Sequence, residues 1–496
     1  MSDAIRFVLD GQTVTVADVA PTMTLLDYLR EHAGRRGTKE GCAEGDCGAC
    51  TVVLGELSPD GSAVDYRAVN SCIRFLPTID GRELVTVESL RDGDTLHPVQ
   101  QAIVDAHGSQ CGFCTPGFVM SLLALYLATS DAAPTRERVI AALAGNLCRC
   151  TGYRPLIDAG CRMHQYPTPA RWSAADADRA ERVQALLALR RDQGLSLPGF
   201  QAPRTLKQLC EALAAQPQAL LLAGGTDIGL WVTKLLRDLP PMVYLGDVAE
   251  LRTIDTDADG CLRIGAAVSH TDAWAAIVAR YPMLDELAQR FASPPVRNAG
   301  TLCGNLANGS PIGDAMPALI ALGATIELHH HSGTTRCLPL DAFYLGYQQK
   351  DLAPGEFVAA VYVPAPQSAQ RIASYKLSKR IEQDISAVCV GINLTLDADA
   401  VIVDARIAFG GMAATPQRAT ATEAQLIGQT LSVASFDAAA AALTTDFQPL
   451  SDLRASSAYR LRAAGNLLRR FALEQTQAAT PLRTHALDAG SLDAPA

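Results

Sequence analysis

Cys42, Cys47 and Cys50 lie within the stretch GCAEGDCGACT, spaced C-x4-C-x2-C, and Cys72 follows after 21 further residues. Four thiolates at this spacing are the ligand set of a plant-type [2Fe–2S] centre. Such a centre is anionic and needs backbone N–H groups turned towards its sulfurs. Gly41, Gly45 and Gly48 let the chain wrap that closely without Cβ clashes. Structural zinc usually takes two C-x2–4-C pairs, whereas here three ligands share one loop. Zinc and unligated thiols are the alternatives that the spacing disfavours.

A second set follows. QCGFCTPG supplies Cys111 and Cys114, and NLCRCTGYRP supplies Cys148 and Cys150. This pattern fits neither ferredoxin spacing. Cys111 and Cys114 come just before a helix that opens at Pro116, whose N–H groups and dipole favour thiolate charge. A second anionic metal centre is physically reasonable, although spacing alone does not identify it.

Two later loops suit a diphosphate. ALLLAGGTDIGLW runs an apolar strand into the Gly224–Gly225 turn, where amides approach a ligand unobstructed. On its own this is a weak signal. The long loop from Arg290 to Leu319 strengthens it, because long loops in compact domains are usually functional. No G-x-G-x-x-G follows a strand, so a Rossmann dinucleotide site is not supported. The triplet His329, His330 and His331 invites a metal reading. Adjacent strand residues face opposite ways, so a surface turn is the expectation.

The rest of the chain must position these groups. Its 496 residues suit about three or four domains. A net charge of −10 argues against a nucleic-acid partner. No run approaches the roughly 18 apolar residues of a membrane span, and MSDAIRFVLDG is not a secretory signal. A cytoplasmic location follows as the expectation. There, clustered cysteines bind metal more often than they form disulfides. The six cysteines outside both sets (Cys161, Cys210, Cys261, Cys303, Cys337 and Cys389) read as buried structural thiols.

Strand and turn signals mark a small α+β domain over 1–83, and a helical pattern occupies 84–165. A linker is expected over 166–192, an α/β region over 193–368, a C-terminal α/β segment over 369–477, and a disordered tail over 478–496.

The ferredoxin-like loop, then QCGFCTPG, then NLCRCTGYRP closely resemble the molybdenum hydroxylase family, and most of all the iron–sulfur/FAD part of the xanthine dehydrogenases. The resemblance implies a multi-domain α+β architecture. It comprises a β-grasp ferredoxin-like domain, an all-helical [2Fe–2S] domain, an α+β FAD-binding domain of vanillyl-alcohol-oxidase type and a C-terminal α+β domain. It assigns one [2Fe–2S] cluster to Cys42, Cys47, Cys50 and Cys72, and a second to Cys111, Cys114, Cys148 and Cys150. Gln110 and Cys150 would approach a molybdopterin on a partner.

FAD would lie against Leu220, Leu221, Leu222 and Ala223, and against the turn Gly224, Gly225, Thr226 and Asp227. Thr301, Leu302, Cys303, Gly304 and Asn305 would complete its diphosphate and ribityl site. Asp314, Val358 and Lys376 stand at further FAD positions, and Phe291 would stack near the isoalloxazine, with ordinary aromatic burial as the alternative. Cys303 is a departure, since relatives often carry glycine there. The loop SKRIEQD, Ser378 to Asp384, would lie close to the flavin and tune access to it.

The resemblance further implies electron transfer from a large molybdopterin-binding partner that oxidises hypoxanthine or xanthine. The partner is expected to be a separate chain, in a heterotetramer of two small and two large chains, because nothing resembling a molybdopterin domain follows residue 475. Electrons would pass through the two clusters to FAD and on to NAD+. No proton-transfer residue is assigned. Partners that oxidise aldehydes, carbon monoxide or other N-heterocycles, and a stand-alone iron–sulfur flavoprotein reductase, are the alternatives.

Overall fold

The computed structural model describes residues 4–129, 133–169, 172 and 176–476. The tail expected to be disordered, 478–496, lies outside them. The first sheet has five strands, ordered Gln12–Val16, Ile5–Leu9, Glu83–Val85, Thr51–Leu57 and Val64–Asn70. Ile5–Leu9 and Glu83–Val85 pair in parallel and the remaining pairs are antiparallel. The first hairpin turns through Gly11, whose positive φ (78°) only glycine adopts freely. Phe7, Leu25, Val52, Phe75 and Leu84 close its core.

Four helices follow, Pro98–Asp105, Thr115–Ala128, Arg136–Leu143 and Arg154–Arg162. The Thr135 side chain caps the third, as its position before Arg136 suggests. Thr115–Ala128 is apolar almost all round, and accordingly it is buried among the other helices and against Val53 and Val85 of the sheet.

The stretch expected to be a linker contains a helix, Asp176–Leu189. Leu186 and Leu189 bury themselves on Val8 beside Leu57 and Val64. Arg182 donates to the Tyr66 hydroxyl at 2.9 Å, and Arg191 holds Asp80 at 2.9 and 3.0 Å. The apolar spacing Val183, Leu186, Leu189 is helical, but the Pro- and Ala-rich run before it masks the pattern.

Two sheets carry the next region. One small sheet is ordered Leu195–Leu197, Phe200–Ala202, Met242–Tyr244, Leu220–Leu222, with its last two pairings parallel. The other is antiparallel throughout: Ile254–Thr256, Leu262–Gly265, Glu356–Val363, Thr325–His330, Thr335–Pro339. The histidine triplet corrects an expectation. His329 lies within the strand Thr325–His330 and is buried against Phe357, because its side of the strand faces the core.

The last sheet has the long strands Gln370–Leu377, Val388–Leu396 and Ile402–Gly410. The helix Ala315–Leu322 lies so close to it that a Cβ on Gly391 would stand 2.3 Å from the Pro317 carbonyl oxygen. Phe436 and Phe471, from the helices Val433–Ala440 and Ser457–Thr476, join the strands in one core. Of the six cysteines outside the two sets, Cys303 and Cys389 are buried. Cys161, Cys210 and Cys261 are half-buried, and Cys337 is exposed on the outward side of the edge strand Thr335–Pro339. Among the described residues, no helix is long and apolar enough to cross a membrane.

Candidate functional site

The first cysteine loop closes on itself. The N–H groups of Asp46 and Cys47 each donate to Cys42 Sγ at 3.3 Å. Gly45 and Gly48 have positive φ, 82° and 70°, as amides turned inward require. Cys50 Sγ and Cys72 Sγ are 3.3 Å apart and both residues are buried. Cys42 contacts Cys47 first and Cys72 second, and these contacts hold its thiol far below the ordinary value. The four sulfurs therefore form one connected group, Cys47 to Cys42 to Cys72 to Cys50. Among the described residues no three His, Cys, Asp or Glu groups are set around a single metal ion. Four gathered thiols at this spacing, with amides turned inward, fit a two-iron cluster better than one zinc.

The second set forms two pairs. Cys111 meets Cys150, and Cys114 meets Cys148. Thr151 N–H donates to Cys148 Sγ at 3.5 Å, and its hydroxyl lies 3.2 Å from that sulfur. Burial pushes the Cys114 thiol up to about 12, with the Cys148 contact acting in the same direction. Cys114 stands at the N-cap position of the helix Thr115–Ala128, and its side chain makes no capping hydrogen bond. Cys111 and Cys150 are exposed, so this site opens to the surface.

The two sets are joined through the backbone. Leu147 N–H, next to Cys148, donates to the Cys47 carbonyl at 3.0 Å, and Asn146 Nδ2 donates to the Gly48 carbonyl at 3.2 Å. A Cβ on Gly48 would stand 2.2 Å from the Gly145 carbonyl oxygen, so only glycine permits this approach.

A cavity of about 770 Å³ lies between the two glycine loops. Leu221, Ala223, Gly224, Gly225, Thr226 and Asp227 line one wall. Thr301, Cys303, Gly304 and Asn305 line another, with Phe291 and Val358 completing it. A Cβ on Gly224 would meet the Ala299 carbonyl oxygen at 2.2 Å, so the loops touch through bare backbone. Thr301 Oγ1 caps the helix Leu302–Asn308 by accepting from Gly304 N–H at 3.0 Å. Cys303 fits without opening the wall, since its buried thiol lies 3.6 Å from the Ile264 carbonyl.

Asn305 Oδ1 and His270 Nδ1 both belong to cavity residues, and both are buried with no hydrogen-bond partner among the described residues. Unpaired polar atoms in a cavity of dinucleotide-cofactor size fit a bound ligand. Burial lowers the His270 pKa to about 3, so the ring is neutral. Phe291 both lines the cavity and packs on His270, ring centres 4.3 Å apart.

Leu220, Leu222 and Leu302 are not part of the wall. Asp314 and Lys376 also lie outside it. Lys376 Nζ donates to Asp314 Oδ2 at 2.6 Å, and Ser386 Oγ donates to Asp314 Oδ1 at 2.5 Å. Two buried opposite charges pair with each other because either alone would be costly. Sequence reasoning missed His270, Tyr347, Gln348 and Lys350 on the cavity wall. Tyr347 and Gln348 form the turn between two short strands, which no motif marks.

The helix Ile228–Thr233 connects cavity and cysteines. It begins directly after Asp227 and ends on the first cysteine loop, where Thr233 Oγ1 donates to the Ala43 carbonyl at 2.7 Å and Lys234 Nζ to the Cys42 carbonyl at 2.6 Å.

Four family models match along the chain. Residues 7–75 match a 2Fe-2S iron-sulfur cluster binding domain and 86–161 a [2Fe-2S] binding domain. Residues 195–366 match the FAD binding domain in molybdopterin dehydrogenase, and 373–475 the CO dehydrogenase flavoprotein C-terminal domain. The chain is 33 % identical to a xanthine dehydrogenase of Emericella nidulans across 90 % of its own length and 36 % of that protein. It is 32 % identical to aldehyde oxidase 4 of Cavia porcellus across 86 % of this chain, again 36 % of the relative. It thus spans about a third of the relatives it matches.

A solved carbon monoxide dehydrogenase chain from Hydrogenophaga pseudoflava superposes with a TM-score of 0.51 at 30 % identity, covering 55 % of this chain and 94 % of that one. Quinoline 2-oxidoreductase from Pseudomonas putida gives 0.51 at 28 % identity, over 56 % and 97 %. With two iron–sulfur domains, a flavin domain and its C-terminal companion in this order, the chain belongs to the molybdenum hydroxylase family and carries that family's iron–sulfur/FAD electron-transfer part.

Proposed function

We propose that the chain is the electron-transfer subunit of a xanthine dehydrogenase, working with a separate molybdopterin-binding chain that oxidises hypoxanthine or xanthine. The observation that carries this reading is the unbroken path of contacts: Cys148 to Leu147 to Cys47, then Cys42 and Ala43 to the helix that opens on the flavin cavity. When bound, the two clusters carry single electrons and the flavin gathers two for delivery to NAD+. The chain's own residues bury Cys50 and Cys72 from water, aim amides at sulfur, and wall the cavity with bare backbone.

Gln110 and Cys150 would face the partner's molybdopterin, and exposure of Cys111 and Cys150 supports that side as the docking face. The assigned roles of the eight cysteines and of the flavin residues, the domain divisions after residues 83, 165 and 368, a cytoplasmic location and a two-plus-two assembly belong to the same proposal.

The test is xanthine-dependent NAD+ reduction by the complex with its large chain, alongside iron, flavin and molybdenum assays of this chain alone. About two [2Fe–2S] clusters and one FAD, without molybdenum, are expected; zinc in place of iron would overturn the reading. The likeness to aldehyde oxidase 4 supports a second reading, an aldehyde-oxidising partner, and turnover with aldehyde but not xanthine would select it.

A further inference from the structure

The loop between the strands Gln370–Leu377 and Val388–Leu396 touches three parts of the molecule at once. At its roots, Ser386 holds Asp314, and Arg290, which leads into Phe291, donates to the Lys376 and Ile381 carbonyls at 2.9 and 3.2 Å. At its tip, Glu382 faces Arg297, and Arg297 Nη1 donates to the Phe291 and Ala292 carbonyls at 2.7 and 3.0 Å on the cavity wall.

The next residue turns the other way. With its amide oriented by its neighbours, Gln383 Nε2 donates to the Asp46 carbonyl at 3.0 Å, and its oxygen accepts from Gly145 N–H at 2.6 Å. Asp46 belongs to the first cysteine loop, and Gly145 to the turn that leads to Cys148. Gln383 is held at φ 49°, a conformation that costs a non-glycine residue about 1 kcal/mol or more and persists only where surroundings enforce it. Asp46, Leu147, Arg380 and Gln383 line an open cleft of about 260 Å³ between the loop and the cysteine sites.

We propose that Gln383 is a positioning residue: it clasps the Asp46 loop and the Gly145 turn to the flavin-bearing part, so that the conformation of the 378–385 loop governs electron transfer between the clusters and the flavin. The transfer role rests on the relay reading above; the clasp itself does not. A side chain at 383 that cannot bridge both backbones frees the two turns to shift against the flavin wall. Any ligand at the flavin edge that displaces Glu382 from Arg297 would act on the same clasp.

The experiment compares the full-length chain with Gln383→Ala and Gln383→Glu variants, using hydrogen exchange and rapid-mixing reduction of the flavin through the clusters. Gln383→Ala loses both hydrogen bonds, and loss of the one from Gly145 N–H should speed exchange of the 143–147 segment about fivefold. Gln383→Glu keeps an acceptor for Gly145 but has no donor for Asp46, so it should restore that protection. Cluster-to-flavin transfer should slow roughly tenfold in both variants, as small misplacements in a preorganised site do, while cluster and flavin contents stay unchanged.

Unchanged exchange at 143–147 in Gln383→Ala overturns the clasp. Faster exchange with an unchanged transfer rate overturns its role in transfer. A wild-type chain holding neither iron nor flavin overturns the relay reading and the transfer role with it, and the exchange result alone then decides the clasp.

Discussion

Cys50 and Cys72 are 1 % and 2 % exposed, covered by Leu26 and Ile73, and their loop is pressed against the Gly145 turn. Cys111 and Cys150 also contact each other but stand at the surface, near the exposed Phe113, Leu147 and Tyr153. Four thiols of equal chemistry thus lie in opposite environments. The more enclosed set, with Cys50 and Cys72 buried and Cys42 and Cys47 half-buried, suits a relay that exchanges electrons only with its neighbours inside the chain. The open set suits one that receives them from outside. Burial, more than side-chain type, would separate the two proposed roles.

The hardest test of this contrast compares glycines. Gly48→Ala forces a Cβ to within 2.2 Å of the Gly145 carbonyl at φ 70°, and should cost about 3 kcal/mol or yield no folded product. Gly112→Ala, at φ 80° but with its nearest neighbour 3.9 Å away, should cost only about 1 kcal/mol. Equal melting temperatures for the two variants would dissolve the distinction.

Next come the ligands themselves. In the metal-free chain, Cys72→Ser should destabilise by about 1–3 kcal/mol, since a buried hydroxyl replaces a buried thiol. Cys150→Ser, at the surface, should stay within about 0.5 kcal/mol. Each should remove one of two iron–sulfur signals in the electron paramagnetic resonance of the reduced protein, and the same one each time would show that the two sets are not independent.

Iron release offers a kinetic version. A chelator should strip the exposed set on the order of tenfold faster than the enclosed one, because only the latter requires local opening. Simultaneous loss by absorbance and resonance would contradict this.

The smallest effect concerns acid. His97 caps the first helix of the open set's domain, and its ring packs edge-on against Tyr126 and Trp172. Burial lowers its pKa to about 3 from the usual 6.5. The unfolded chain therefore takes up a proton below pH 6.5 that the folded one refuses, and the stability His97 contributes is lost as pH falls from 6.5 towards 3. Going from about pH 7 to about 5.5 should remove about 1 kcal/mol. His97→Asn, which keeps a capping oxygen, should flatten that slope in denaturant titrations followed by Trp172 fluorescence.

How much of this was legible in the chain differs by region. The gathering of Cys42, Cys47, Cys50 and Cys72 was legible because one continuous loop supplies three of the four thiols, and glycine requirements are local. Thr135 and Pro116 marked their helices through first-turn chemistry, which is also local. The Asp176–Leu189 helix was obscured because its stability comes from the sheet face it covers rather than from its own pattern. The cavity wall was legible where glycine turns announce themselves and not at His270 and the Tyr347–Gln348 turn, which reach it from elements distant in sequence.

By itself, then, the sequence determined the kinds of centre this protein can hold, because thiol spacing and glycine turns act within a few residues. Only the tertiary structure decided which set is enclosed and which is open. It also turned Asp314 and Lys376 towards each other and carried Gln383 across to Asp46 and Gly145. Burial and pairing are set by neighbours far along the chain, and those neighbours exist only once it is folded.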